Sequence, residues 1–225
     1  MTRKIKIIIL AVLLLFLNGC SSNEPKIKID KLSSKVDYFL YRDKKIYLTK
    51  NVEQFVLQFK GMSCIAKGVG SNISSEFSID NINDKNHAFY TMKGGNEIEV
   101  RCPSDNYSYS PSFSIYLKSK DDSNINRNIR KFSISTTDEP LEVIISGKKL
   151  IFADKKDDNK STFADLKKIL GTNYEYEADN TSSILLNKID KVIYEDNNYE
   201  YTFRLWNMKK EQDDNVVFGI YVEEK

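Results

Sequence analysis

The chain has one histidine, one tryptophan, four prolines and nine glycines in 225 residues, and no Cys-x-x-Cys pair. Each scarcity excludes something. With a single imidazole, any Ser-His-Asp or Cys-His system would have to centre on His87, in Asn86-His87-Ala88. No Gly-x-Ser-x-Gly elbow accompanies it. Cys64, Cys102 and His87 are too few and too far apart to supply four metal ligands. The missing Cys-x-x-Cys removes a catalytic dithiol. Gly68-Val69-Gly70 lacks the lysine and following helix of a phosphate-binding loop and reads as a turn. The acidic pairs Asp121-Asp122, Asp157-Asp158 and Asp213-Asp214 stand in Lys/Asn-rich stretches, where solvation leaves carboxyl groups ordinary. No charge excess is present either: 34 basic against 32 acidic residues give +2, which does not indicate a nucleic-acid binder. The pattern points away from an enzyme, and towards no cofactor, no metal and no nucleic acid.

Long hydrophobic runs are also scarce, with one exception. Residues 7–17 are unbroken apolar sequence behind Arg3, Lys4 and Lys6. The run is well short of the ~20 residues needed to cross a bilayer, so it reads as the core of a signal peptide. It ends in Leu17-Asn18-Gly19-Cys20, which resembles the lipobox of bacterial lipoproteins, with Asn18 an unusual occupant of its position. That resemblance implies cleavage before Cys20 and acylation of its thiol and new amino group. Ser21, Ser22, Asn23, Glu24 and Pro25 would form a tether through residue 29. By resemblance to enteric lipoproteins, Ser21 after the cysteine favours sorting to the periplasmic face of the outer membrane.

Lipidation of Cys20 would leave Cys64 and Cys102, an even pair in an exported chain, and an oxidising compartment predicts that they form a disulfide. Removing residues 1–19 takes away three basic residues and leaves 31 against 32, about −1. The small total hides a split. Residues 30–137 hold 16 basic and 12 acidic residues, net +4, whereas residues 138–225 hold 13 and 19, net −6. Two modules with different faces would account for it.

The first module, residues 30–137, is written in short alternating runs. Val36-Asp37-Tyr38-Phe39-Leu40 and Lys45-Ile46-Tyr47-Leu48 flank Arg42-Asp43-Lys44 as a hairpin. Phe55-Val56-Leu57-Gln58-Phe59 reads as a further strand leading to Cys64, followed by runs at Phe77, Ala88, Ile98, Phe113 and Phe132. Lys93-Gly94-Gly95-Asn96 offers a tight turn. Many short strands predict a mainly β chain, with an antiparallel sandwich or barrel here, held by the disulfide.

Thr137-Asp138-Glu139-Pro140 is the expected joint. Beyond it a hairpin turning at Ser146-Gly147-Lys148 precedes the one convincing helix. Ser161 or Thr162 can cap that helix, with Asp165 in capping-box position and Gly171 as its stop. Three strands then complete an α+β module over residues 138–225. Its Asp165-Leu166 and Ile169-Leu170-Gly171 resemble the capped helix of the small outer-membrane assembly lipoproteins of the BamE kind, a likeness of fold covering about a third of the chain.

The stretch 102–113 is the most like a recognition element. Tyr107 and Tyr109 stand among Ser, Asn and Pro between Cys102 and Phe113, and tyrosine gives large amphipathic contact at low entropy cost. Trp206 is a second candidate anchor, although Phe203 and Leu205 beside it favour a core position. In overall style the chain is similar to immunity lipoproteins paired with type VI secretion lipase effectors. That resemblance implies a protein partner, a secreted toxin such as a phospholipase, with membrane contact through the lipid; it rests on no residue motif, and the expected contacts Tyr107, Tyr109, Phe113 and Trp206 come from the residues themselves. The alternative is a structural or assembly lipoprotein of the outer membrane.

Overall fold

The computed structural model describes residues 29–69, 76–81, 97–103, 111–117, 128–136, 139–179, 188–208 and 211–225. The segment around Cys20, His87, and the Tyr107 and Tyr109 loop lie outside the described residues.

The alternating sequence folds into two antiparallel sheets. The smaller contains β1 (Val36–Tyr41), β2 (Lys44–Ile46), β8 (Leu141–Ile145) and β9 (Lys148–Phe152), in the order β2-β1-β8-β9. The larger contains β3 (Ile65–Val69), β4 (Glu76–Ser78), β5 (Glu97–Arg101), β6 (Ser112–Leu117), β7 (Ile129–Ser135), β10 (Glu175–Glu177), β11 (Ile189–Glu195), β12 (Tyr199–Trp206) and β13 (Val216–Glu224). Its order is β10-β11-β12-β13-β7-β6-β5-β3-β4. The chain is mainly β, as its periodicity predicts.

Both hairpins of the small sheet turn where the backbone can go left-handed. Arg42 and Asp43 have φ of 48° and 61°, and Ser146 and Gly147 have 49° and 75°. Two successive positive φ values match the twist of the flanking strands. The inward-facing residues of the two sheets then meet. Phe39 of β1 stands edge-on to Phe113 of β6, with ring centroids 6.3 Å apart. Tyr41 and Phe59 close on the same Phe113 ring at 5.8 and 4.9 Å.

Four expectations are corrected. First, Phe55-Val56-Leu57-Gln58-Phe59 is helical: α1 (Val52–Val56) runs into a 3-10 turn at Leu57–Phe59. The buried residues Val52, Phe55, Val56 and Phe59 fall at i, i+3, i+4 and i+7, a helical period rather than alternation. Asn51 caps the helix by accepting the Gln54 amide at 3.2 Å. Second, Gly68 and Val69 belong to β3, with Gly68 registered on Ile98, rather than to a turn.

Third, the joint at residues 137–140 does not separate two sheets. Strand β8, beyond it, pairs with β1, and β13 pairs with β7. The hairpin, helix and three-stranded meander expected after it are present, but they complete sheets begun in the first half. Fourth, Cys64 stands before β3 instead of ending a strand, and Cys102 follows β5. Ile65 is registered on Arg101, so the two cysteines are brought opposite each other and bonded. Closing a loop with a sequence separation of 38 stabilises the fold by about 4 kcal/mol on chain-entropy grounds.

The second helix, α2 (Phe163–Leu170), begins where the sequence places it. The Thr162 amide donates to the Asp165 carboxylate at 3.1 Å, and Gly171, at φ 74°, donates back to Lys167 at 2.9 Å. Phe163 and Leu166 point inward, and the Phe163 ring meets Tyr174 and Tyr176 at 5.5 and 5.1 Å.

Strand β13 lies between β12 and β7 and must approach β7 closely. A Cβ on Gly219 would stand 2.9 Å from the Ile134 carbonyl oxygen and 2.9 Å from Ser135 Cβ. Gly219→Ala is therefore expected to lower stability by about 1–3 kcal/mol, the usual cost of overpacking. Urea denaturation followed by tryptophan fluorescence measures it, and an unchanged midpoint would show that the two strands separate without cost.

Candidate functional site

Two groups of side chains in the larger sheet stand out from ordinary packing. The first is buried. Asp190 occupies an inward register position of β11, beside Val192, and is 1% exposed. Its carboxylate accepts from the Tyr176 hydroxyl, from Asn207 Nδ2 at 3.0 Å, from Asn215 Nδ2 at 2.8 Å and from the Asp179 amide at 2.9 Å. All four donors are neutral, so dipoles take the place of water around the charge. Asn215 then accepts the Met208 amide at 2.9 Å and, through its backbone carbonyl, the Phe163 amide at 2.8 Å. Burial, and then Asp190, push the Tyr176 hydroxyl up to about 12. The cluster ties the edge strand β10, the segment before β13 and the start of α2 to one carboxylate. Its hydrogen-bonding capacity is used internally, which suits a lock rather than a reaction centre. Removing the acid would leave buried donors unmatched, at about 1–3 kcal/mol each.

The second group lies on the outer face of the same sheet. On β12 the residues Tyr199, Tyr201, Phe203 and Leu205 point inward, which leaves Arg204 and Trp206 outside. The Trp206 ring stacks on Phe218 of β13 with centroids 4.1 Å apart and planes 16° from parallel. A register irregularity opposite Arg204 and Leu205 marks a bulge in this ladder, which aims Phe218 at the tryptophan. The Arg204 guanidinium lies 4.7 Å from the Phe218 ring centre and 5.4 Å from that of Tyr221. Lys131 also lies over Tyr221 at 4.6 Å, and Lys155 approaches Trp206 at 5.9 Å. The row continues to Tyr116 on β6, whose hydroxyl is pushed up to about 12 by burial and then by Glu97, with Arg204 acting the other way.

Beside this row lies an open groove of about 480 Å³, with Glu177, Ile189, Lys191, Arg204 and Tyr221 among its walls. The Trp206 indole N–H is buried without a hydrogen-bond partner among the described residues, a cost of order 1–3 kcal/mol. Trp, Tyr and Arg are the side chains that most often dominate protein–protein contacts. Here they stand together on a sheet that holds them rigidly. Ion pairs Lys131–Glu223 at 3.1 Å and Lys191–Glu177 at 3.5 Å border them and fix the surrounding charge.

The expected contact residues fall in different places. Phe113 is 0% exposed and packs against Phe39, Tyr41 and Phe59, so it belongs to the core and offers nothing to a partner. The strand period explains the correction, because Phe113, Ile115 and Leu117 share the inward face. Trp206 is half-buried on the outer face, opposite in direction to its neighbours Phe203 and Leu205. Tyr107 and Tyr109 lie outside the described residues. Of the paired acids, Asp213 is bound by Lys167 at 2.5 Å, and Asp157 accepts the Asn159 amide at 2.8 Å. Among the described residues no cluster of three or more His, Cys, Asp or Glu could hold a metal ion.

Sequence reasoning passed over Asp190, Arg204, Phe218 and Tyr221. A signal existed for Asp190, an acid in step with the inward Val192. None existed for the row, which is assembled from four strands.

Among the described residues, two carboxylates outside these groups contribute to the response to acid. The Lys168 ammonium is the main influence holding Asp165 below the usual carboxylate range; burial opposes it and the Thr162 amide assists. Burial is the largest single influence on Asp196 and acts to raise it. The amides of Asn198 and Tyr199, the Tyr201 hydroxyl and Lys35 together carry it below that range. A lowered folded-state value means stability that is complete above the unfolded value of about 3.9 and lost as pH falls through the folded value. Thermal midpoints are therefore expected to hold from neutrality down to about pH 5 and to drop below about pH 4. Asp196→Asn should make that drop shallower. An equally steep fall in the variant would remove Asp196 from the explanation.

No family model matches this chain, and no curated protein or solved structure matches it either.

Proposed function

We propose that this chain is an exported lipoprotein, acylated at Cys20 and held at the periplasmic face of the outer membrane, that binds and blocks a secreted toxic enzyme. The observation that carries the binding role is the row of Trp206, Arg204 and Tyr221 on the outer face of the larger sheet, backed by the buried Phe218 ring. The address rests on the basic start, the short apolar run and Leu17-Asn18-Gly19-Cys20. The Cys64–Cys102 disulfide suits an oxidising compartment. Among the described residues no helix is long and apolar enough to cross a membrane, so attachment in this proposal falls to the lipid.

The partner is a protein, and no cofactor takes part. A phospholipase effector fits the resemblance of the whole chain to immunity lipoproteins. The mode of action is occupation: a rigid aromatic and cationic surface covers the enzyme's mouth and excludes substrate. Tyr107 and Tyr109 remain a second contact in this proposal.

The test has two arms. Fatty-acid labelling should mark the wild-type chain and fail for Cys20→Ser, and equal labelling would remove the anchor. Expression of the wild-type chain should protect cells against the periplasm-directed product of its neighbouring toxin gene. Arg204→Ala combined with Trp206→Ala should cut affinity at least about thirtyfold, the effect of losing 2 kcal/mol. Full protection by that variant, with its fold intact, would move the contact elsewhere. No protection by the wild type would overturn the inhibitor role in favour of envelope assembly.

A further inference from the structure

We propose that the outer face of the four-stranded sheet lies on an anionic phospholipid bilayer, which turns the Trp206 row of the opposite sheet towards the aqueous phase. The proposal deepens the one above and rests on acylation at Cys20. Four observations carry it.

The first is composition. Alternation in β1, β2, β8 and β9 sends Phe39, Ile46, Val143, Ile145 and Leu150 into the core. On the other face Lys45, Glu142 and Lys149 stand among five less polar side chains: Tyr38, Leu40, Ile144, Ile151 and, just beyond β2, Tyr47. All five are half-buried, although in the described residues no further layer covers them. A polar outer face would be the ordinary expectation for a two-layer sandwich in water. Tyr38 and Tyr47 stand edge-on with centroids 5.9 Å apart, and tyrosine is a residue of membrane–water interfaces.

The second is charge. Lys31 caps Tyr47 at 3.6 Å and Lys45 caps Tyr38 at 4.4 Å, which places ammonium groups on the rim of the apolar stripe. Glu142 is paired with Lys149 at 2.5 Å, and Asp37 accepts the Gly147 amide at 2.7 Å. Among the described residues Lys31 and Lys45 form no ion pair, and aromatic rings flanked by lysine suit a headgroup layer of negative charge.

The third is where the tether enters. Lys31 is bridged to Thr49, and Leu32 donates to the Leu48 carbonyl at 2.8 Å, so the chain arrives beside Tyr47. Eight residues, 21–28, separate Cys20 from the first described residue, and Lys26 and Lys28 are among them. A chain of that length reaches at most about 30 Å. A lipid held at Cys20 therefore keeps the Tyr38–Tyr47 face within one small domain's width of the bilayer. Short tethers give effective concentrations on the order of millimolar, so a surface with weak intrinsic affinity is enough.

The fourth is the relation of the two faces. Phe39 of the small sheet meets Phe113 of the large one, which puts the two sheets back to back with their outer faces directed apart. One face on the membrane leaves the other free.

The test uses the full acylated chain reconstituted into vesicles, carrying an environment-sensitive fluorophore at Lys45→Cys, which leaves Lys31 as the cation beside the tyrosines that the charge arms read, or, on the opposite outer face, at Lys191→Cys. Both parent side chains are exposed, and the native Cys64–Cys102 pair is bonded and unreactive towards the label. In mixed phosphatidylcholine and phosphatidylglycerol vesicles, emission from the Lys45 site should move to shorter wavelength and be quenched by brominated lipid. The Lys191 site should stay aqueous. High salt, phosphatidylcholine alone, or Lys31→Glu in the labelled chain should each weaken the Lys45 response. Intact mass read in parallel reports the acyl groups. An acylated chain whose two sites are equally aqueous, or whose Lys191 site is the quenched one, overturns the orientation alone. A chain without acyl groups overturns the anchoring on which the orientation rests. Quenching at Lys45 that is indifferent to lipid charge overturns the anionic character of the surface.

Discussion

The pairing of β13 with β7 is the contact on which the rest of the structure depends. Five registered pairs, from Gly219↔Ser135 to Glu223↔Lys131, join the C-terminal strand to one laid down some ninety residues earlier. Without it the larger sheet would fall into two pieces, β10-β11-β12-β13 and β7-β6-β5-β3-β4. Each piece would expose an edge with unpaired amides and carbonyls, the feature that invites association with other chains. The junction also carries the inward residues Ile220 and Val222 beside Ile134 and Phe132, which makes the core continuous across it. Gly219 is required there because a side chain would strike the neighbouring backbone.

The smaller sheet repeats this arrangement on the other layer. Strand β1 comes from the first part of the chain and β8–β9 from the second, and they register through Phe39↔Val143. Tyr201 adds a stitch between layers. Its hydroxyl accepts the Lys35 amide at 2.9 Å and donates to Asp196 at 2.7 Å, which connects the approach to β1 with the turn before β12. Burial raises this hydroxyl well above its ordinary value, so it is a neutral donor at neutral pH. Residues from both halves of the sequence thus contribute to one hydrophobic cluster.

The candidate surfaces inherit their rigidity from this construction. The Trp206 row draws on β12, β13, β7 and β6, and its geometry exists only because β13 joins them. The Tyr38 and Tyr47 face depends on Gln58, whose side chain accepts the Tyr47 amide at 2.8 Å and donates to its carbonyl at 3.0 Å. Gln58 thereby stands in for a neighbouring strand and closes the edge beyond β2. Surfaces presented by strands lose little side-chain freedom on contact, which reduces the entropy that binding must overcome.

Local signals in the sequence determined a good deal. Alternation set the mainly β class, Ser146-Gly147 and Arg42-Asp43 set two turns, and Thr162, Asp165 and Gly171 set the one long helix. These features depend on neighbours within a few residues, where backbone sterics and capping act. Cys64 and Cys102 were legible as a pair because redox chemistry constrains them whatever the fold. The α1 helix was misread because Phe55, Val56, Leu57 and Phe59, four apolar residues in five, fit either period until a partner surface selects one. Phe113 illustrates the same point: composition marked it as adhesive, but only the register of β6 decided that it faces inward. The joint at residues 137–140 was inferred from charge and proline, which report on local backbone and solvent. Strand pairing across that joint is a long-range choice made by two hydrophobic faces seeking cover, and no local pattern encodes it. For the same reason the Trp206–Arg204–Tyr221 row and the Asp190 lock emerged only from the tertiary structure, since their members meet across strands that the sequence keeps apart.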